Sequence, residues 1–592
     1  MKEIQKQVYS EIPLAQTVVN FCVLKEIKHI VISPGSRNAP LNIGFTQDDT
    51  FITYSIVDER SAAFFALGLA QQLKQPVAVV CTSGSALLNY YPAVSEAFYS
   101  DIPLVIISAD RLPHRIDVGD GQTIRQPEVF EPHLEASAYL KPDVIHASET
   151  LLANPTQKLV SPLSTHSELL EEQQRIQIFN EKLLDKILNK VVEQSGPVHL
   201  NVPLEEPLYG TTDFKIIPQK VTSISINKSN IKFDLFNELW NKTEKKMILI
   251  GVLPPNSISE DTLEAWASDP SIIVLTEKTS NVKDQRFIDA IDTFIAPLKD
   301  NSKIKMDEIS PDLLITLGGM VVSKKIKTFL RNFPPKKHWH INSKKAYNTY
   351  YVLSDHIKIE PKAFFKQLYS SKFKIKESSY KNKVFSIYNQ NRLKGLNYLK
   401  NIPFSDLKAF KLIFNSIPEE INLQLANSST VRYAQLFNLH KTVSVYCNRG
   451  TSGIDGSSST AIGSAFVSDK PTLLISGDLS FFYDINALWN SYWKTNFRLI
   501  IINNQGGGIF RILPGKKDTP EYDKYYETVH NRSAKEICKS FNLRYSCVKS
   551  EWFLKLKLKT FFKPTNRPQV LEIFTPRKSN DQVLLNYFKA MQ

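Results

Sequence analysis

No apolar run in the 592 residues approaches the roughly 20 needed to cross a bilayer. The N-terminus, MKEIQKQVYSEIPLAQTVVNF, has no signal-peptide core and carries acids among its bases. A soluble, cytoplasmic protein with no integral membrane association is the expectation. Cysteine is scarce: Cys22, Cys81, Cys447, Cys538 and Cys547 are scattered without a CxxC pair, which argues against a zinc site or disulfide framework and leaves core thiols. His338 and His340 in KKHWHIN have no third ligand at metal-site spacing and read as a strand or loop pair. Low-complexity tracts, short repeats and the readable nucleic-acid-binding modules are all missing. The net charge of +14 is spread along the chain, so a basic surface favouring small anions is expected and no nucleic-acid partner.

What is present is length and apolar content. A chain of this size holds roughly three or four domains, and 42% hydrophobic residues suffice for separate cores. Segments such as HIVISPGSR and QPVAVVCTSGSALLNYYPAVSEAFYSDIPLVIISADR alternate strand, glycine turn and helix. KKMILIGVLPPN, SIIVLTEKTSN and PDLLITLGGMVV repeat the style further on. Three successive α/β domains with mainly parallel sheets are predicted, over residues 1–205, 206–375 and 376–592. A Ser/Pro-marked loop and a long charged helix fill 145–190, a polar linker falls near 210–230, and a lysine- and tyrosine-rich stretch, YSSKFKIKESSYKNKVFSIYNQNRLKG, connects to the third domain.

In LLISGDLSFFYDINALWNSYWKTNFRLIIINNQGGGIF, two apolar runs flank a segment of helical spacing. A right-handed crossover would make the runs parallel neighbours and bring Asp478 and Asn504 to one sheet edge, where open α/β sheets bind ligands. A carboxylate, an amide oxygen and a backbone carbonyl from the glycine turn are hard oxygen ligands suited to Mg²⁺. The competing reading is a strand-end Asp that caps a helix and an Asn turn.

Asp58-Glu59-Arg60 precede a nearly all-apolar helix, SAAFFALGLAQQL. Its entrance is desolvated, which would raise the Glu59 pKa as a proton-handling carboxyl requires; an acid that complements the helix dipole is the alternative. Arg37, Arg111, Arg125, Arg432 and Arg449 all sit beside Gly, Ser or Asn at predicted strand ends. Converging on one cleft, guanidinium groups would suit a substrate with more than one carboxylate.

The GD…NN stretch from Gly477 to Gly506 resembles the metal and diphosphate motif of thiamine-diphosphate enzymes, and GPVHLNVP resembles the closing segment of their pyrimidine-binding domain. More closely, SPGSRNAPL, VDERSAAFFALGLA, TSGSALLNYYPAVSEA, SADRLPHRIDVGDGQTIRQ, CNRGTSGIDGSSSTAIG, SGDLSFFYDINALW and NNQGGGIF resemble, in order, the MenD family of menaquinone biosynthesis. The resemblance spans the first and third domains; the middle one matches in general style only.

It implies a carboligation in which 2-oxoglutarate is decarboxylated on thiamine diphosphate and the succinyl carbanion equivalent adds to isochorismate. Asp478, Asn504 and the Gly506 carbonyl would hold Mg²⁺ (or Mn²⁺) on the diphosphate, with Leu479 and Ser480 following at a helix N-terminus. Glu59 would hydrogen-bond the aminopyrimidine, and Ile454 would wedge the cofactor into its bent shape. Ser428, Arg432 and Arg449 match positions that handle the 2-oxoglutarate-derived group. Ser36, Arg37, Arg111 and Gln122 match positions facing isochorismate, with Ile509 and Phe510 as the apolar wall. Gly121 departs from members with Asn before the Gln. A homodimer, or a tetramer, with the site at the subunit interface is also implied. Competing readings are another thiamine-diphosphate enzyme such as an acetolactate-type synthase, a non-catalytic binding protein on the same fold, and a nucleic-acid-binding protein.

Overall fold

The computed structural model describes residues 8–146, 148, 165–218, 233–300, 306–370, 374–513, 517 and 519–592. The Ser/Pro-marked loop and most of the linker predicted near 210–230 lie outside them.

The apolar runs form three sheets, each wholly parallel. The first contains β1 (His29–Ile32), β2 (Ile52–Ser55), β3 (Val77–Cys81), β4 (Leu104–Asp110), β5 (Ala136–Tyr139) and β6 (Val198–Pro203), in the order β2-β1-β3-β4-β6-β5. The second has β7 (Lys246–Ile250), β8 (Ile272–Thr276), β9 (Leu313–Leu317), β10 (Lys337–Ile341) and β11 (Asp355–Ile357), ordered β8-β7-β9-β10-β11. The third contains β12 (Asn422–Leu425), β13 (Ser444–Tyr446), β14 (Thr472–Gly477), β15 (Arg498–Asn503), β16 (Arg544–Val548) and β17 (Gln569–Phe574), ordered β13-β12-β14-β15-β17-β16. The first and third sheets thus share one strand order. In each, the direction of winding across the sheet reverses between the first and third strands, the position at whose carboxyl ends open α/β sheets bind ligands.

Strands read as unbroken apolar runs because both sheet faces are covered. In the middle sheet, Met247 and Leu249 enter one core with Phe329 and Leu330, while Ile248 and Ile250 enter another with Trp240, Trp266 and Phe364. That alternation is the strand's two-residue period. The long charged helix, His166–Gln194, begins at a capping box between Thr165 and Glu168. The lysine- and tyrosine-rich stretch is not an open connector at its C-terminal end: Tyr380–Tyr398 is a helix, and Tyr380, Val384 and Tyr388 pack into the middle sheet's core.

Chain contacts separate two compact units. One holds the first sheet together with Ser458–Ser468 and Asp484–Trp493; the other holds the middle and last sheets. Among the described residues no helix is long and apolar enough to cross a membrane. Four cysteines are buried, but Cys547 is exposed because it lies on the edge strand β16. His338 and His340 point from β10 to one hydroxyl, Thr316 Oγ1, at 2.8 Å each, and burial lowers both to about 4, so they are neutral core residues.

Candidate active site

In the first unit, Glu59 opens the helix Glu59–Leu73 just after β2. Asp58 is the N-cap, its carboxylate accepting from the Ser61 N–H, so Glu59 is free of capping duty. Burial raises the Glu59 carboxyl above its ordinary value, and the Asp58 charge adds to the rise.

Ser36 and Arg37 follow β1, with Ser36 exposed and Arg37 buried. Arg37 donates to the Leu204 carbonyl at 3.0 Å and to Glu206 Oε1 at 2.7 Å. Arg111, after β4, lies 3.8 Å from the same Glu206 oxygen and donates through Nε to the Gly121 carbonyl at 3.0 Å. Burial lowers the Arg37 pKa and the neighbouring Arg111 charge lowers it further. Two guanidinium groups therefore share one carboxylate oxygen. Gln122 has a positive φ of 55°, and its carbonyl accepts from Ser83 Oγ at 2.9 Å, which fixes the turn to the end of β3. A Cβ on Gly121 would meet nothing within 4 Å, so the missing side chain leaves open space there. Arg125 does not join this group: it is exposed and pairs with Asp117 at 2.8 Å.

In the second unit, β14 and β15 are adjacent and parallel, with Gly477 opposite Ile502, so Asp478 and Asn504 emerge at one edge. The crossover is a six-residue helix, Asp478–Tyr483, followed by a 3₁₀ turn, Ile485–Trp489. Asp478 Oδ2 accepts from the Gly506 N–H at 3.0 Å and lies 3.3 Å from His530 Nε2; its Oδ1 accepts from the Leu479 N–H at 2.7 Å. Gly506 has φ +148°, and a Cβ there would lie 2.5 Å from the Glu527 carbonyl oxygen, so only glycine fits. Its own carbonyl accepts from the Gly508 N–H at 2.9 Å and keeps a second lone pair. Ser480 Oγ donates to the Ile454 carbonyl at 2.7 Å, tying the predicted wedge residue to this loop. Ile509 and Phe510 are half-buried in the short helix that follows, Ile509–Ile512.

Asn504 is aimed by a residue that sequence reasoning missed. Its Nδ2 donates to Asp406 Oδ2 at 2.9 Å, leaving the buried Oδ1 without a protein partner. Asp406 is itself held by Thr575 Oγ1 at 2.5 Å and by a bond from its N–H to Asn580 Oδ1 at 2.8 Å. Burial pushes its carboxyl up to about 6. His530 was missed as well. Neither carries a local motif: Asp406 lies 98 residues before Asn504, and His530 reaches Asp478 from a separate loop.

Ser428 precedes the helix Ser429–Ala434 with φ +68°, and its carbonyl accepts from Arg432 Nη1 at 2.5 Å. Arg449 is buried; its Nη1 donates to Asn427 Oδ1 at 2.8 Å while its Nε has no partner. Burial lowers the Arg432 pKa, and the Arg449 charge is the next cause, so the two cations lie close together. Neither forms an ion pair among the described residues. The nearby Glu277 does not neutralise them directly: its buried carboxylate accepts from the Val322 and Ser323 N–H groups, and burial pushes it up to about 7.

The donor set fits a metal diphosphate chemically. Among the described residues no three His, Cys, Asp or Glu side chains cluster as a metal cage. Asp478, the orphaned Asn504 oxygen and the Gly506 carbonyl make an incomplete oxygen set of the kind Mg²⁺ takes when phosphates and water supply the rest.

Comparison with known proteins gives two family matches: the N-terminal TPP binding domain of thiamine pyrophosphate enzymes over residues 13–129, and their C-terminal TPP binding domain over residues 427–573. The chain is 51% identical over 592 residues to a 2-succinyl-5-enolpyruvyl-6-hydroxy-3-cyclohexene-1-carboxylate synthase of Christiangramia forsetii, covering 99% of this chain and 100% of the relative. A synthase of the same name from Flavobacterium psychrophilum is 48% identical, with 99% and 100% covered, and one from Porphyromonas gingivalis is 35% identical, with 98% and 97% covered.

Proposed function

Because the chain belongs to the 2-succinyl-5-enolpyruvyl-6-hydroxy-3-cyclohexene-1-carboxylate synthases, a family of thiamine-diphosphate enzymes, we infer that it decarboxylates 2-oxoglutarate and adds the remaining succinyl unit to isochorismate, releasing CO₂. Thiamine diphosphate, when bound, supplies the electron sink for the decarboxylation. The protein's part is to orient, to hold charge and to move protons.

Residues 1–205 would serve as the pyrimidine-binding domain, 206–375 as the central domain and 376–592 as the diphosphate-binding domain. Asp478, Asn504 and the Gly506 carbonyl would hold Mg²⁺ or Mn²⁺, supported by the partnerless Asn504 Oδ1. Leu479 and Ser480 would flank the diphosphate, and Ile454 would press on the cofactor from the loop that Ser480 anchors. Glu59 would exchange a proton with the aminopyrimidine, a task its raised pKa favours.

Arg432 and Arg449, two adjacent guanidinium groups with no ion-pair partner among the described residues, carry the dicarboxylate reading. A monocarboxylate such as pyruvate would leave at least one of these buried cations uncompensated. With Ser428 they would bind the 2-oxoglutarate carboxylates. Ser36, Arg37, Arg111 and Gln122 would bind isochorismate, whose carboxylates would take over from Glu206 at Arg37 and Arg111. Ile509 and Phe510 would exclude water beside the reacting carbon. The enzyme would act in the cytoplasm as a homodimer with shared active sites.

Purified protein with thiamine diphosphate and Mg²⁺ should consume isochorismate only when 2-oxoglutarate is present, and Glu59→Gln should abolish the consumption. Cofactor-loaded protein that leaves isochorismate untouched would overturn the substrate assignment.

A further inference from the structure

The helix Glu551–Phe561, EWFLKLKLKTF, links β16 to β17 on the rim of the third sheet. Leu554, Leu558 and Phe561 bury one face in the core below. The opposite face needs no apolar side chain for folding, yet Trp552, Phe553 and Leu556 are 65%, 56% and 51% exposed there. Trp552 and Phe553 pack edge to face with ring centroids 4.8 Å apart, which preorganises them as one aromatic block. Beside them an open groove of about 800 Å³ runs towards Leu412, Asn415, Ser416 and Pro418.

Along the chain that follows this block the charges have one sign. Lys555, Lys559 and Lys563 are exposed and four residues apart, with Lys557 half-buried between them. From Trp552 to Arg567 the chain holds no acid. The helix's own carboxylate, Glu551, is engaged by Lys555 at 2.7 Å and Lys408 at 3.5 Å, and the exposed Glu419 and Glu420 follow Pro418 at the far end of the groove. Lys559 and Lys563 form no ion pair among the described residues. Two regularly spaced lysines without a carboxylate partner match a diffuse anionic plane better than the discrete carboxylates of a folded partner. Exposed Trp, Phe and Leu alternating with lysines on an anchored helix is the composition of a segment lying in a lipid headgroup layer.

We propose that the Glu551–Phe561 helix docks this protein peripherally on an anionic lipid bilayer, with Trp552, Phe553 and Leu556 entering the interface and Lys555, Lys559 and Lys563 against the headgroup phosphates. Trp552, Phe553, Leu556, Lys559 and Lys563 hold no role in the proposed chemistry, so docking through them would give the protein a location without altering its active-site residues.

The test is co-sedimentation of the full-length protein with phosphatidylglycerol-containing vesicles and with pure phosphatidylcholine vesicles, at low and high salt. Binding to the anionic vesicles that weakens with salt is expected. W552S/L556S and K559E/K563E should each reduce it by about tenfold or more, while isochorismate consumption stays at the wild-type rate. Wild-type protein that does not sediment with anionic vesicles overturns the proposal. So does unchanged binding by W552S/L556S, because charge alone would then suffice. A drop in the sedimenting mass of W552S/L556S without vesicles would assign the patch to a second copy of the chain and equally overturn it.

Discussion

Asp406 touches the candidate site through Asn504: it accepts one amide hydrogen, and so turns the amide oxygen outward. Asp406→Ala frees the amide to rotate, and outer-shell losses of this kind typically cost about 10- to 100-fold in metal affinity. Titration calorimetry of Mg²⁺ and thiamine diphosphate should show that loss, whereas a purely structural role would lower the unfolding midpoint and leave affinity unchanged. Glu277 predicts a pH dependence. Its carboxyl stands at about 7 in the folded protein against 4.5 for the free group. The unfolded chain therefore releases this proton first as pH rises, and the folded state loses stability between about 4.5 and about 7, by at most roughly 3 kcal/mol. Urea midpoints at pH 5 and pH 7.5 should differ by less in Glu277→Gln than in the parent.

Two helices meet at glycine. On the Glu59–Leu73 helix, a Cβ at Gly68 would lie 2.1 Å from the Thr460 carbonyl oxygen. From the facing helix, Ser457–Val467, a Cβ at Gly463 would lie 2.1 Å from the Phe65 carbonyl oxygen. The obstacles are backbone atoms that cannot rotate away. Either Gly68→Ala or Gly463→Ala must separate the helices, at a cost of about 1–3 kcal/mol, read as a lowered urea midpoint. The Glu59–Leu73 helix carries Glu59 on its first turn, so activity should fall more than stability. The paired glycines lie almost 400 residues apart, and each reads in sequence as a mere helix weakener.

At the scale of the molecule, Glu59 belongs to one compact unit and Asp478 to the other. If each active site draws these two residues from different subunits, Glu59→Gln and Asp478→Ala protein, each inactive alone, should regain about a quarter of wild-type activity after co-refolding, since half the dimers are mixed and each carries one intact site. No recovery would place both residues of a site on one chain. Thiamine diphosphate with Mg²⁺ should raise the melting temperature, by about 2.7 kcal/mol of added stability at a hundredfold excess over Kd, and a chelator should reverse the rise.

The strand-ending motifs were legible in the sequence because each is local. A parallel strand's apolar run, its turn and the polar residue after it lie within about ten positions, and Glu59, Asp478, Asn504, Arg432 and Arg449 could all be named from such windows. The arginines were less accurately read: from sequence all five looked alike, yet Arg125 pairs with Asp117 in solvent. Whether a turn cation faces a cleft or a neighbouring acid depends on how the loop folds back. The shared strand order of the first and third sheets, Asp406 behind Asn504, the glycine crossing and the exposed edge of the Glu551–Phe561 helix have no local signature. Sequence determined which residues stand at strand ends, since periodicity and turn chemistry are short-range. The tertiary structure alone decided which of those ends share a neighbour and which face remains exposed, because burial and hydrogen-bond partnership are set by packing between segments far apart in the chain.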